Sequence, residues 1–172
     1  MKKKAPDPVA QLCPTCGLCC NGVLFGDVEL QRGDDAKLLA KLDASIFRKG
    51  KKNAFRQPCA CFDGKLCGIY ASRPTQCRAF ECGLLQRVTA GDLTTGAALK
   101  TIAETRRGAE AVLQLIRELG NVDETKPVNQ RYTAVAAQPI DLAAGEGEVE
   151  RPGELMMAVA KLVTTLERNF RT

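Results

Sequence analysis

At 172 residues, with 45% apolar but only 5% aromatic residues and no tryptophan, the chain can bury one core built mostly of Leu, Ile, Val and Ala, and it leans helical. Its net charge of +5 is uneven, since residues 1–90 carry 15 Lys/Arg against 8 Asp/Glu and residues 91–172 carry 10 against 12. No stretch approaches the roughly 18 to 20 apolar residues of a membrane span, and "MKKKAPDPVAQLC" lacks the apolar run of a secretory signal, so no membrane is expected and the expected address is the cytoplasm.

Residues 1–12, with three lysines and two prolines, read as a flexible basic tail. "GVLFGDVEL" (22–30) is short, β-branched and aromatic and reads as a strand. Asp34 or Asp35 then looks like a cap for a helix through "AKLLAKLDASIF", with Leu38, Leu39, Leu42 and Ile46 on one face. Arg48, Lys49, Lys51 and Lys52 are expected to end that helix in a basic loop around Gly50. In "FRQPCACFDGKLCGIY" the Asp63-Gly64 pair is a hairpin signal that would bring Cys59 and Cys67 together. Pro74 suits the first position of a helical turn and Gly83 its stop, and Cys77 and Cys82 share a neighbourhood only if that turn ends between them.

Beyond Asp92 the pattern changes. Leu99, Ile102, Ala109, Val112, Ile116 and Leu119 recur at helical spacing and predict one long amphipathic helix, or two halves hinged at Gly108. Residues 138–153, rich in Gly, Pro and acid, read as a linker or loop. Leu155, Val159, Leu162, Leu166 and Phe170 predict a final amphipathic helix, whose stripe and its predecessor's are core or a protein partner's docking face. The expected fold is mainly α with a small loop-rich, metal-organised cysteine region and a short β-hairpin, α+β overall. It divides into the tail at 1–12, a cysteine region at 13–90 and a helical region at 91–172.

The chemistry lies in the cysteines. All nine (13, 16, 19, 20, 59, 61, 67, 77 and 82) fall in the first half, and there is no histidine. An odd count cannot pair completely, and a cytoplasmic thiol pool disfavours disulfides. Eight thiols in turn-forming, Gly- and Pro-flanked segments are not a packing pattern, so metal binding is the reading. A C-x2-C pair on a tight turn converges on one ion, and "CPTCGLCC" contains two overlapping pairs, so Cys13, Cys16 and Cys19 can supply three ligands. The fourth must come from Cys20 or from elsewhere; adjacent side chains such as Cys19 and Cys20 tend to diverge, which favours their serving different ions or one of them serving none. Without histidine a tetrahedral site is filled by sulfur, alone or with one carboxylate, and all-cysteine sites select zinc or an iron–sulfur cluster. The C-x2-C-x2-C triplet matches the start of a bacterial ferredoxin site but lacks its C-x3-C-P continuation, and zinc-ribbon spacing fails in the second block. A four-thiolate centre with one divalent ion carries about −2, so two such centres would offset much of the basic excess of the first half.

Other classes find little support. Acid–base histidines, G-x-S-x-G, the P-loop, the Rossmann fingerprint and the radical-SAM spacing are all absent, which argues against an independent enzyme. A nucleic-acid binder would use the run at 48–56, yet stacking aromatics are few and no recognition helix follows the cysteines. An iron–sulfur redox subunit or accessory protein of a modifying enzyme is the principal alternative to a structural module.

"CPTCGLCC" followed by "CGIYASRPTQCRAFEC" resembles the YkgJ-type cysteine-cluster family of bacterial zinc- or iron-chelating domains. Cys13, Cys16, Gly17, Cys19 and Cys20 match its first block, and Cys67, Ile69, Tyr70, Arg73, Pro74, Cys77, Arg78, Phe80 and Cys82 its second, a resemblance spanning about residues 13–83. It implies Cys13, Cys16, Cys19, Cys20, Cys59, Cys67, Cys77 and Cys82 as ligands and leaves Cys61, which has no counterpart, as the free thiol. Arg73 and Arg78 either make capping contacts or turn their N–H groups to the thiolates, and Tyr70 with Phe80 is expected to lid the site. The family in turn resembles the cysteine-rich part of flagellin lysine methylases, whose activity this much shorter chain is not expected to share.

Overall fold

The computed structural model describes residues 7–139 and 146–171, with the side chains of 146–149 excepted. Lys2 to Lys4 of the expected tail and residues 140–145 of the expected loop lie outside the described residues. The fold is mainly α, α+β overall, with a small three-stranded antiparallel sheet in the order β1-β3-β2.

Helix α1 (Pro8–Cys16) starts inside the stretch read as tail. Its signal is local: Asp7 caps it by accepting from Val9 N at 3.0 Å, and Pro8 stands in the first turn, where a missing N–H costs nothing. Gly17, at φ 66°, ends it in a left-handed cap. The expected strand at 22–30 shortens to β1 (Asp27–Glu29), preceded by a turn in which Leu24 N donates to Leu18 O at 3.0 Å. Asp35 caps α2 (Ala36–Lys41) through Leu38 N.

That helix stops far short of Ile46, since Asp43 takes φ 58° and breaks the register. Ile46 begins β2 (Ile46–Lys49), and the basic run forms a hairpin with β3 (Lys52–Arg56) that turns at Gly50. The expected basic loop is therefore sheet. Lys49 bonds Asp27 at 2.7 Å and Lys52 pairs with Glu29 at 3.3 Å, so two of the four cations in that run are neutralised by β1. The Asp63-Gly64 turn forms as expected, Asp63 Oδ1 accepting from Lys65 N and Leu66 N, but its ladder is a single bridge, Phe62 to Cys67.

A short 3-10 turn (Tyr70–Ser72) leads to α3 (Thr75–Ala79), whose start is capped from a distance: Thr75 N and Oγ1 both donate to Asp34 Oδ1 at 2.8 Å. Phe80 is extended, and Gly83 starts α4 (Gly83–Ala90) where a stop was expected. Its Cβ-less backbone lies against the end of the last helix; Gly83 N donates to Phe170 O at 3.2 Å, and a Cβ would meet Asn169 O at 3.3 Å.

Helix α5 (Thr95–Glu118) runs unbroken through Gly108, whose site faces Leu162. Helix α6 (Val128–Ala136), which no stripe in the sequence predicts, packs back on the N-terminal half through Val128 N to Gly22 O at 3.1 Å. Helix α7 (Glu146–Asn169) begins within the expected loop. Of the two stripes, Ile102, Ala109, Val112, Ile116, Leu155, Leu162, Leu166 and Phe170 are buried in one cluster with Leu12, Leu18, Leu84 and Leu85. A second, smaller cluster of Val28, Leu30, Leu39, Ala44 and Phe55 lies under the sheet. Among the described residues no helix is long and apolar enough to cross a membrane.

Candidate metal centre

Cys13 and Cys16 stand three apart on α1 and so share one face of a helix, not the tight turn that their spacing suggested. The turn follows them. Cys20 N and Asn21 N both donate to Gly17 O, at 2.9 and 3.0 Å, and the buried Leu18 anchors the loop that carries Cys19 and Cys20. Cys20 O in turn accepts from Cys59 N at 2.8 Å, which joins the two cysteine blocks through the backbone. Cys77 lies on α3 and Cys82 at the start of α4, with the extended Phe80 between them directing them apart.

Cys13, Cys16, Cys19, Cys20, Cys59, Cys67, Cys77 and Cys82 line one cavity of about 190 Å³. Cys61 does not line it. All nine are free thiols, each partly exposed. Within the cavity they fall into two neighbourhoods. Cys13, Cys16, Cys19 and Cys82 pack on the large core cluster, whereas Cys59 and Cys77, with Cys61, pack on the small one under the sheet.

Electrostatics follows this packing in part. Burial and then the Cys82 charge push the Cys13 thiol up, and burial outweighs the Leu18 N–H to hold Cys16 at about 12 with Cys82 and Cys13 adding to it. Cys19 is driven well up, by burial first and then by its thiol neighbours, Cys16 foremost. Cys20 instead answers to the other block: burial, then Cys67 and Cys77, raise it to about 12. Burial also raises Cys59 to about 12 and Cys77 to about 11, the latter with Cys67 as the next cause. Cys20 is the next charge after Cys16 on Cys19, and Cys16 also acts on Cys20, so this adjacent pair links the two neighbourhoods.

Burial therefore favours the neutral thiol at Cys13, Cys16, Cys19, Cys20, Cys59 and Cys77, and ionising them requires positive charge that the protein supplies only in part. Arg73 lowers Cys13, Cys20 and Cys77 and so sits between the groups, its guanidinium 3.6 Å over the Tyr70 ring and its Nε donating to Tyr70 O at 2.9 Å. Tyr70 and Phe80 line the cavity, Phe80 edge-on to Phe25 with ring centroids 4.8 Å apart. Arg78 faces elsewhere, into a separate cleft with Asp34 and Asp35.

Three contributors carried no sequence signal. Arg106 of α5 reaches back to both cysteine blocks, Nη1 donating to Thr15 O at 2.7 Å and Nη2 to Gly64 O at 3.3 Å. Replacing it with methionine keeps the stem and removes both bonds; a loss of about 1–2 kcal/mol in urea unfolding is expected, and an unchanged midpoint would show the clamp to be idle. Phe170 and Gln57 also line the cavity, each buried to 2% exposure or less. Gly17, in contrast, belongs to the motif and has two reasons to be glycine. Its φ is 66°, and a Cβ would come 2.5 Å from the Phe62 ring. Gly17→Ala should cost about 3 kcal/mol, the left-handed backbone and the ring overlap acting together, and the denaturation midpoint measures it.

Among the described residues no three cysteine or carboxylate side chains close tightly on one point. The donor chemistry nonetheless fits a soft metal: eight sulfurs lining one cavity, no competing imidazole in the sequence and an arginine, Arg73, on the cavity wall. No curated protein and no solved structure matches the chain. Residues 12–101, just over half of it, match the CxxCxxCC family, described as "Putative zinc- or iron-chelating domain", and the match runs past Cys82 through α4 into the first turns of α5. By its two cysteine blocks and the cavity they share, the chain belongs to the CxxCxxCC family.

Proposed function

We propose that this protein is a cytoplasmic metal-chelating module in which two sets of four cysteines, Cys13/Cys16/Cys19/Cys82 and Cys20/Cys59/Cys67/Cys77, each hold a zinc ion or an iron–sulfur cluster. The observation that carries this reading is one cavity lined by eight thiols, of which Cys13, Cys16, Cys19 and Cys82 pack on the large core and Cys59 and Cys77 on the small one. Each sulfur is a single χ1 torsion from its backbone, so closing on an ion asks for rotamer changes at the cavity wall. Bound metal supplies the positive charge that turns buried thiols into thiolates and ties α1, the Asp63-Gly64 turn, α3 and α4 to the helices behind them.

Four protein sulfurs per centre leave no open coordination position, which points to a structural or electron-carrying role over hydrolytic catalysis. Anaerobic purification with elemental analysis and an absorption spectrum on the same sample tests the reading. Stoichiometric zinc in a colourless protein supports a structural module. A brown protein with iron and sulfide supports an iron–sulfur module and a redox partner. Protein that carries neither, and takes up neither after reduction, overturns the proposal.

A further inference from the structure

The cavity contains one polar side chain with no explanation in packing alone. Gln57 is 2% exposed, lines the thiol cavity, and its Oε1 is buried without a hydrogen-bond partner. An unsatisfied buried acceptor is costly, and leucine would fill similar space without the penalty. The chain on either side is fixed, Gln57 N donating to Gly26 O at 3.1 Å and Cys59 N to Cys20 O at 2.8 Å. The backbone at Gln57 is thus fixed, and its side chain lines a cavity that cysteines of both blocks line as well.

We propose that Gln57 is a positioning residue for the metal centres, donating an N–H···S hydrogen bond from Nε2 to a metal-bound thiolate of this cavity. A half-turn about χ3 exchanges the oxygen and nitrogen of a carboxamide with little change in shape, so Nε2 can take the place that Oε1 holds here. Thiolates only accept hydrogen bonds. Two ions shared among eight of them leave a residual charge of about −4, against which the cavity sets Arg73 and backbone donors such as Leu18 N–H to Cys16. A neutral N–H donor on the cavity wall answers that excess. The bond draws electron density from the sulfur, steadies the ligand and slows its loss to competitors.

The inference rests on the thiolate reading above, and cobalt(II) alone serves as the probe. Full-length protein, Gln57→Leu and Gln57→Met are each loaded anaerobically, and the cobalt count, the sulfur-to-cobalt charge-transfer band and the rate of extraction by a chelator are recorded. The count should stay at the wild-type value, the band should move to longer wavelength, and extraction should quicken about tenfold in both variants. Two apolar replacements of different shape separate the hydrogen bond from packing, because a packing role leaves the band where it was. A stationary band with unchanged extraction overturns the assignment while the thiolate reading stands. Wild-type protein that takes up no cobalt overturns both.

Discussion

Stripping the metal from the loaded protein is expected to free β1, β2, β3 and α3 to hydrogen exchange while α5 and α7 stay protected. The reason is where the apolar residues lie. Among the described residues, the cluster under the sheet contains only Val28, Leu30, Leu39, Ala44 and Phe55, and its remaining walls are Cys59, Cys61, Cys77 and partly buried neighbours. The larger cluster has sixteen buried residues among those described, contributed by α1, α4, α5, α6, α7 and the intervening loops, and most of these are aliphatic chains that need no metal. Structural zinc contributes on the order of 10 kcal/mol to folding, so amides of the sheet should lose at least about a thousandfold of their protection. Those of Ile102 to Ile116 and Leu155 to Leu166 should change far less. Uniform loss along the whole chain would show one cooperative unit. Unchanged protection in the sheet would mean that the thiols hold nothing that matters to the fold.

The same unequal cores explain what could be read from the sequence. Stripes at helical spacing predict α5 and α7 because both helices bury one face continuously, and Ile102, Val112, Ile116, Leu162 and Leu166 fall where that period places them. The cap at Asp35 is equally local. In the sheet region the signal misleads. Ile46 continues the apolar period of α2, and only the left-handed Asp43 shows that the chain has already turned. A run of four cations hides a hairpin whose partners, Asp27 and Glu29, lie some twenty residues earlier. Pro8 and Pro14 mask α1, although a proline in the first turn is compatible with a helix.

At the site, residue types and spacing identify the thiols, and one detail of their division is local. Cys19 packs on the large core, whereas Cys67 and Cys77 are the foremost charges on Cys20. Assignment of Cys82 to the first block is not local at all. It depends on the extended Phe80 and on α4 starting against the end of α7, a contact between Gly83 and Phe170 that no spacing rule contains. Arg106 and Gln57 are similarly invisible, because an arginine on a helix and a glutamine before a proline acquire meaning only once the two blocks meet.

Serine replacements offer the sharpest test of that division, since serine oxygen is a poor ligand for a soft metal and changes the side chain by one atom. Cys19→Ser and Cys20→Ser differ by one position in the chain, yet each should empty a different centre and halve the bound metal. Cys82→Ser should resemble Cys19→Ser in its residual spectrum, and Cys77→Ser should resemble Cys20→Ser, although Cys77 and Cys82 are neighbours in sequence. Their effects on exchange should part in the same way. Loss of the Cys20 centre exposes the sheet, because Cys59 and Cys77 wall its small core, whereas loss of the Cys19 centre loosens α1 and the start of α4 against the large one. Combining Cys19→Ser with Cys82→Ser should remove no more metal than either alone; combining Cys19→Ser with Cys20→Ser should remove all of it. Cys61→Ser, outside the cavity, should keep the full count. Equal and complete loss from every single replacement would instead mean that the eight sulfurs hold one shared cluster, and the two-centre division would fall with that result.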